Sequence, residues 1–240
     1  MKKWMNYTWL MVLIIGLVSG AYLYTTQTDE GKLDALGTDN NLLTDTTPER
    51  PVMFDIPVAE KANKNFVQKG PLTKEGQFMY SPLGQRVELR QLSKSKEVIK
   101  NGKVKYHLKT IKLLVNSSKT LEAQQNARNK FNDQGLGRQF MTVQVKYDIE
   151  NTAPYDIYTD GVVAVSYLNG SAVTALSGLE NDDKLKAGVP AKSTISTGMT
   201  VLVPASQRDQ LQTMHFEFSS VYDQNGKMIT PKTDAQKISF

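Results

Sequence analysis

The chain has 240 residues, with 29 Lys and Arg against 24 Asp and Glu, two His and no Cys. The missing thiols exclude a lipoprotein anchor, a disulfide framework and a cysteine nucleophile, and two histidines leave little material for acid–base catalysis. The surplus of positive charge is unevenly spread, and its distribution is the first guide to organisation.

Lys2 and Lys3 open the chain, and no charged residue follows until Asp29. Between them Trp4 to Tyr24 is an uncharged stretch of 21 residues whose centre, Trp9 to Val18, is almost wholly apolar. A helix needs about 20 such residues to cross the hydrocarbon core, so residues 1–24 are read as a transmembrane anchor. The two lysines hold the N-terminus in the cytoplasm and place the remainder outside the cell membrane, with Trp4, Tyr7, Trp9, Tyr22 and Tyr24 at the two borders. A cleaved signal peptide is the rival reading, with small residues at Ser19, Gly20 and Ala21, and it makes the protein a secreted one. An exported chain without cysteine suits a Gram-positive surface.

Residues 25–60 carry eight acidic side chains against Lys32 and Arg50, a net charge of −6, together with Pro48, Pro51 and Pro57 and no sustained apolar period. Such a segment buries too little surface to offset its ordering entropy and is expected to be a disordered acidic linker, with local docking open to Met53, Phe54 and Ile56. Residues 61–240 reverse the balance, with 25 basic and 16 acidic residues. Their length suffices for one sizeable core.

The pattern of this exported domain is mostly period two, which describes strands with one buried face. Val87 and Leu89 alternate with charged residues; Val104, Tyr106 and Leu108 alternate with Lys103, Lys105, His107 and Lys109, a run continued by Ile111, Leu113 and Val115; Val143, Val145, Tyr147 and Ile149 alternate with Thr142, Gln144, Lys146 and Asp148. Further strands are expected at Gly161–Leu168, Ser171–Leu176, Thr194–Val203, Thr213–Tyr222 and Lys237–Phe240. Asn101-Gly102, Asn169-Gly170 and Asn225-Gly226 lie between such runs, and Asn-Gly marks hairpins because both residues accept positive φ. One segment, Lys119–Asn132, predicts a helix capped by Ser117 or Ser118, with Leu121, Ala127 and Phe131 facing inward. Many short strands with one inserted helix predict an all-β, antiparallel β-sandwich.

A strand runs into a loop at Phe140–Thr152, a hairpin ends at Asn169-Gly170, an acidic loop leads to Leu185-Lys-Ala-Gly188, a strand closes on Val201-Leu-Val-Pro204, and Met214–Phe218 follows as a last apolar strand. In this order the segment from about Gln139 to Ile229 resembles the telokin-like, immunoglobulin-fold domain of exported bacterial proteins, a group related to the immunoprotective extracellular protein of mycobacteria. The resemblance implies an immunoglobulin-like sandwich and export, and it carries no catalytic residues with it. The basic front portion and the insert at 119–132 depart from the family's compact form.

The residues offer little chemistry. His107 shares a strand face with Lys105 and Lys109 and reads as a solvated position, and His215 faces away from Met214 and Phe216. There is no Gly-x-Ser-x-Gly elbow, and Gly135-Leu-Gly137 is followed by no phosphate-binding helix. Glu180-Asn181-Asp182-Asp183 offers hard oxygen ligands for Ca²⁺ but lacks the alternating spacing and glycine of a calcium loop, so it reads as a solvated acidic turn. The strongest surface signal is basic: ten Lys and Arg between residues 86 and 119 against Glu88 and Glu97. Lys103, Lys105 and Lys109 share one strand parity and form the candidate surface for an anionic partner, whereas Lys112 falls on the other parity unless a bulge intervenes. With Tyr106 alone nearby there is no stacking platform, so nucleic acid is not an expected partner. The sequence therefore predicts a non-enzymatic, membrane-tethered extracytoplasmic module, without cofactor or metal, that binds a protein or an anionic envelope polymer. A structural subunit of an envelope or secretion assembly, and a hydrolase with an unrecognised site, are the alternatives.

Overall fold

The computed structural model describes residues 53–208 and 211–239. The expected anchor, the greater part of the expected linker and Phe240 lie outside the described residues. Among those described, no helix is long and apolar enough to cross a membrane. Within the expected linker, Phe54 stacks on Tyr80 at 5.4 Å and donates its N–H to the Pro82 carbonyl at 2.8 Å. A single helical turn, α1 (Val58–Lys61), follows it.

The strands in chain order are β1 (Phe78–Tyr80), β2 (Gln85–Lys94), β3 (Val98–Asn101), β4 (Val104–Ser118), β5 (Gln139–Asn151), β6 (Ile157–Tyr158), β7 (Val162–Ser166), β8 (Ala172–Thr174), β9 (Leu179–Asn181), β10 (Thr194–Val203), β11 (Thr213–Phe218), β12 (Val221–Asp223), β13 (Met228–Thr230) and β14 (Gln236–Ser239). Helix α2 (Leu121–Lys130) is inserted between β4 and β5. The main sheet runs β1-β2-β4-β5-β10-β9, and β3 pairs with the first half of β4 where β2 does not reach. A second sheet runs β14-β11-β7-β8, and β6, β12 and β13 form a third, small one. The strand pairings inside all three sheets are antiparallel, as the alternation predicts.

The largest core lies between the inner face of the main sheet and the second sheet. Tyr106, Leu108, Val143, Val145 and Val201 meet Val165, Met214, Phe216 and Phe218 there, and each is almost fully buried. Tyr106 stacks on Phe218 with ring centroids 3.9 Å apart, and burial pushes its hydroxyl up to about 12. Two smaller clusters cover part of the outer face: Leu72, Leu89 and Leu114 on one side, and Ala127, Phe131, Leu136, Phe140 and Leu202 on the other. All three close among residues of 50–240, which form one compact unit.

β4 switches parity along its length. Val104, Tyr106 and Leu108 point into the core, and so do Ile111 and Leu113; the pairing with β5 slips by one residue between Leu108 and Thr110, with Lys109 as the extra residue. A β-bulge of this kind lets one long strand serve a single core on both sides of the slip.

Some local expectations are revised. The helix is capped by Thr120, whose Oγ1 accepts from the Ala123 N–H at 3.0 Å and donates to the Leu83 carbonyl at 2.6 Å, while Ser117 and Ser118 complete β4. Starting there, the inward row is Ala123, Ala127 and Phe131, four residues apart; Leu121 sits about 200° round the helix from Ala123 and is 72% exposed. The predicted strand Thr213–Tyr222 breaks at Ser219, whose hydroxyl bonds Thr159 Oγ1 at 2.7 Å and accepts from the Asp160 N–H at 2.9 Å, so that β12 enters the small sheet. All three Asn-Gly pairs link paired strands, but only their glycines take positive φ, at 61°, 82° and 73°. At Asn169-Gly170 the Gly170 N–H donates to the Tyr167 carbonyl at 2.9 Å, so the glycine takes the left-handed place after a four-residue turn and the Asn does not.

Candidate functional site

Of Lys103, Lys105 and Lys109, the last two are each paired with a carboxylate of β5. Lys103 lies in the β3–β4 turn, where its carbonyl accepts from the Thr152 N–H at 2.9 Å and from the Thr152 hydroxyl at 2.7 Å. Lys105 Nζ meets Glu150 Oε1 at 2.8 Å, and His107 Nε2 meets the other oxygen of the same carboxylate at 2.8 Å. Lys109, the bulged residue, reaches Asp148 Oδ2 at 2.9 Å, and Ser196 Oγ donates to Asp148 Oδ1 at 2.6 Å. The hydrogen bonds from Lys105 and His107 hold the Glu150 carboxyl below its ordinary value. At Asp148, partial burial pushes the carboxyl up, but the bonds from Ser196 and Lys109 outweigh it and the net direction is down. Charge at this end of the outer face is matched across neighbouring strands.

The bulge produces a different arrangement further along. Past Lys109 the even-numbered residues of β4 turn to the outer face, so Lys112 stands on the same face as Lys105 and His107, opposite Gln144 of β5. Lys112 is only 9% exposed, and its ammonium donates to the Leu72 carbonyl at 2.7 Å. An ammonium has three N–H donors, so two remain. Among the described residues no carboxylate pairs with Lys112, nor with exposed Lys146 on β5. Burial, and then the neighbouring charge of Lys146, push the Lys112 amine down from its ordinary value.

These lysines line a groove of about 650 Å³ on the outer face. One wall is Leu72, Met79 and Val87; the other is Ala127 of α2 and Phe131 at its C-terminal cap, with Phe140. Its floor is Lys112, Leu114, Asn116, Thr142 and Gln144, with Asn116 Nδ2 donating to Thr142 Oγ1 at 3.0 Å. A second hollow of about 390 Å³, lined also by Glu180, Asp182 and Asp183, shares Lys130, Gln144, Lys146 and Thr200 with the first, so the two are neighbours. Lys130 on α2 is paired with Glu180 on β9 at 2.7 Å beside it. The volume lies in the range of small-molecule sites, and a mostly apolar lining with a few polar groups is their usual character.

The acidic loop is engaged within itself and with neighbouring lysines. Glu180 pairs with Lys130, Asp183 with Lys186 at 2.6 Å, and Asp182 Oδ1 caps the Lys184 N–H at 3.1 Å. Asn181 donates to the Val162 carbonyl at 2.7 Å. His215 lies on the half-exposed face of β11, away from the buried Met214 and Phe216. Asn151 closes its own loop, with Nδ2 donating to the carbonyls of Tyr155, Val189 and Pro190 at 2.8–3.1 Å and Oδ1 accepting from the Ala153 N–H.

Sequence reasoning missed the groove, although one signal was present. Leu114 between Leu113 and Val115 puts apolar side chains on both parities, which means that both faces are covered there and that Lys112 is covered with them.

No family model matches the chain, and no curated protein does. Among solved structures, the crystal structure of a functionally unknown protein from Listeria monocytogenes EGD-e is similar to this chain, with a TM-score of 0.48 and 11% identity over 64% of this chain and 87% of that one.

Proposed function

We propose that the chain is a non-enzymatic, membrane-tethered extracytoplasmic module that binds an anionic component of the cell envelope through the outer-face groove. The observation that carries this reading is Lys112, a lysine buried in the groove whose ammonium has one carbonyl partner and, among the described residues, no carboxylate. Placing a charge there costs free energy that a bare structural role does not recover, and an anion with fixed acceptors recovers it. Export and tethering rest on the uncharged stretch Trp4 to Tyr24 behind Lys2 and Lys3. The sandwich is taken as immunoglobulin-like on the resemblance over residues 139–229; β5, the β7–β8 hairpin, the turn at Gly188, β10 ending just before Pro204, and β11 follow in the order that it requires.

The test is retention of the protein on envelope purified from its native cells, across a salt series. Salt-sensitive retention is expected, and the paired change Lys112→Met with Lys146→Met is expected to abolish it, while Lys105→Met with Lys109→Met leaves most of it. Retention indifferent to the first pair, in a variant with an unchanged thermal transition, overturns the reading.

A further inference from the structure

The groove is not lined as a site for a bare polyanion. Lys112 sits on its floor, while both walls and part of the floor are apolar: Met79 and Val87 face Phe140 across Asn116, with Leu114 in the next row of the sheet. A hydrophilic chain of phosphates laid there would place charge against those walls and lose hydration without return. A ligand that satisfies the whole surface has one compact anionic group and a flexible apolar part.

We infer that the groove binds a linear amphiphile, its carboxylate or phosphate head against Lys112 and Lys146 and its hydrocarbon part along Leu114 between the two apolar walls. The inference rests on the proposed anionic partner and names its chemistry. Charge complementarity selects the occupant: two ammonium groups share this part of the groove, and no carboxylate of the described residues pairs with either of them. The head group would take up the N–H donors of Lys112 that the Leu72 carbonyl leaves over. Lys146 lines both hollows, and because the smaller one is also lined by Glu180, Asp182 and Asp183, an anionic head is seated on the Lys112 side of Lys146. The apolar part then occupies the larger volume, where burial of each methylene adds to affinity.

The test is calorimetric titration of residues 50–240, which carry all three hydrophobic clusters, with dodecanoate, dodecyl phosphate, dodecanol and inorganic phosphate, the amphiphiles below their micelle-forming concentrations. Saturable one-to-one binding of at least one charged amphiphile is expected, with dodecanol weaker by about tenfold or more and inorganic phosphate without measurable heat. The better of the two charged chains identifies the head group. Lys112→Met should bring the charged chain down to the affinity of dodecanol. Should that variant not fold, Lys146→Met at an exposed position should still weaken the charged chain several-fold and leave dodecanol unchanged. Equal binding of dodecanol and dodecanoate, or binding of none of the chains, overturns the inference. If no amphiphile binds while envelope retention still depends on Lys112 and Lys146, this inference fails and the proposed function stands. If the amphiphile binds and retention is indifferent to both lysines, the proposed function fails alone.

Discussion

The two ends of the main sheet's outer face carry the same kinds of residue and have opposite electrostatic character. At one end Lys105, His107 and Lys109 are answered by Glu150 and Asp148 on the adjacent strand, with side chains still in contact with water. At the other, buried Lys112 and exposed Lys146 line a groove with apolar walls, and among the described residues no carboxylate pairs with either. A lysine count along β4 cannot tell the two apart. Partners on the neighbouring strand decide whether charge is spent within the sheet or held for a ligand.

The most damaging way to break this comparison is to cut the core on both sides of the bulge. Leu108→Ala and Ile111→Ala each remove a fully buried side chain, at about 2–5 kcal/mol apiece, and together they consume most of the roughly 5–15 kcal/mol available to a domain. The double variant is therefore expected to lose cooperative unfolding in a thermal melt monitored by circular dichroism. Deleting Lys109 should be milder, because Leu108, Thr110 and Ile111 then alternate without a slip.

Gly198 on β10, opposite Lys146, lies where the two ends meet. A Cβ at this position falls 2.8 Å from the Val145 carbonyl oxygen of the paired strand. Gly198→Ala gains about 0.4–1 kcal/mol from a stiffer unfolded chain and loses about 1–3 kcal/mol by overpacking. A net fall in the urea midpoint is expected; a rise would mean that the β5–β10 ladder can give way at this point.

A gentler change makes one end imitate the other. Glu150→Gln with Asp148→Asn removes both answering carboxylates, and the protein should elute from a cation exchanger at higher salt than the parent. Lys146→Met should move elution the other way. The smallest effect concerns acid. Both carboxyls lie below their ordinary values of 4.5 and 3.8 when folded, so the stability they contribute is present above those values and is lost as pH falls through the depressed ones. The Gln/Asn double variant should show a shallower loss of melting temperature below about pH 4.5 than the parent.

Much of the architecture was legible because it follows from local pattern. β10 spans Thr194–Val203 as the alternation predicts, and each Asn-Gly pair joins two paired strands. The errors were also local in origin. Thr120 took the cap from Ser117 and Ser118 because β4 runs to Ser118, and Ser219 broke a continuous apolar run by bonding a residue 60 positions away. The candidate site was least legible. Its position depends on a one-residue slip within β4, and its walls come from segments around Leu72 and Phe131 that meet only in the folded chain. Glu150 and Asp148 sit some 40 residues from the lysines that they neutralise, a distance over which charge counting along the sequence has no purchase.

The Asn-Gly hairpins also set how this protein ages. With no Cβ on the following residue, the backbone nitrogen of Gly can attack the Asn amide carbon; ammonia leaves, and the cyclic imide reopens with water to Asp or isoaspartate. Asn101 is buried with its amide on the Pro231 carbonyl, and Asn169 is held by Ser171 and Ser206. Asn225 is exposed, and its side chain has no hydrogen bond among the described residues. On storage, the first acidic species of residues 61–240 should therefore carry its new charge at the β12–β13 turn, leaving the groove unaltered.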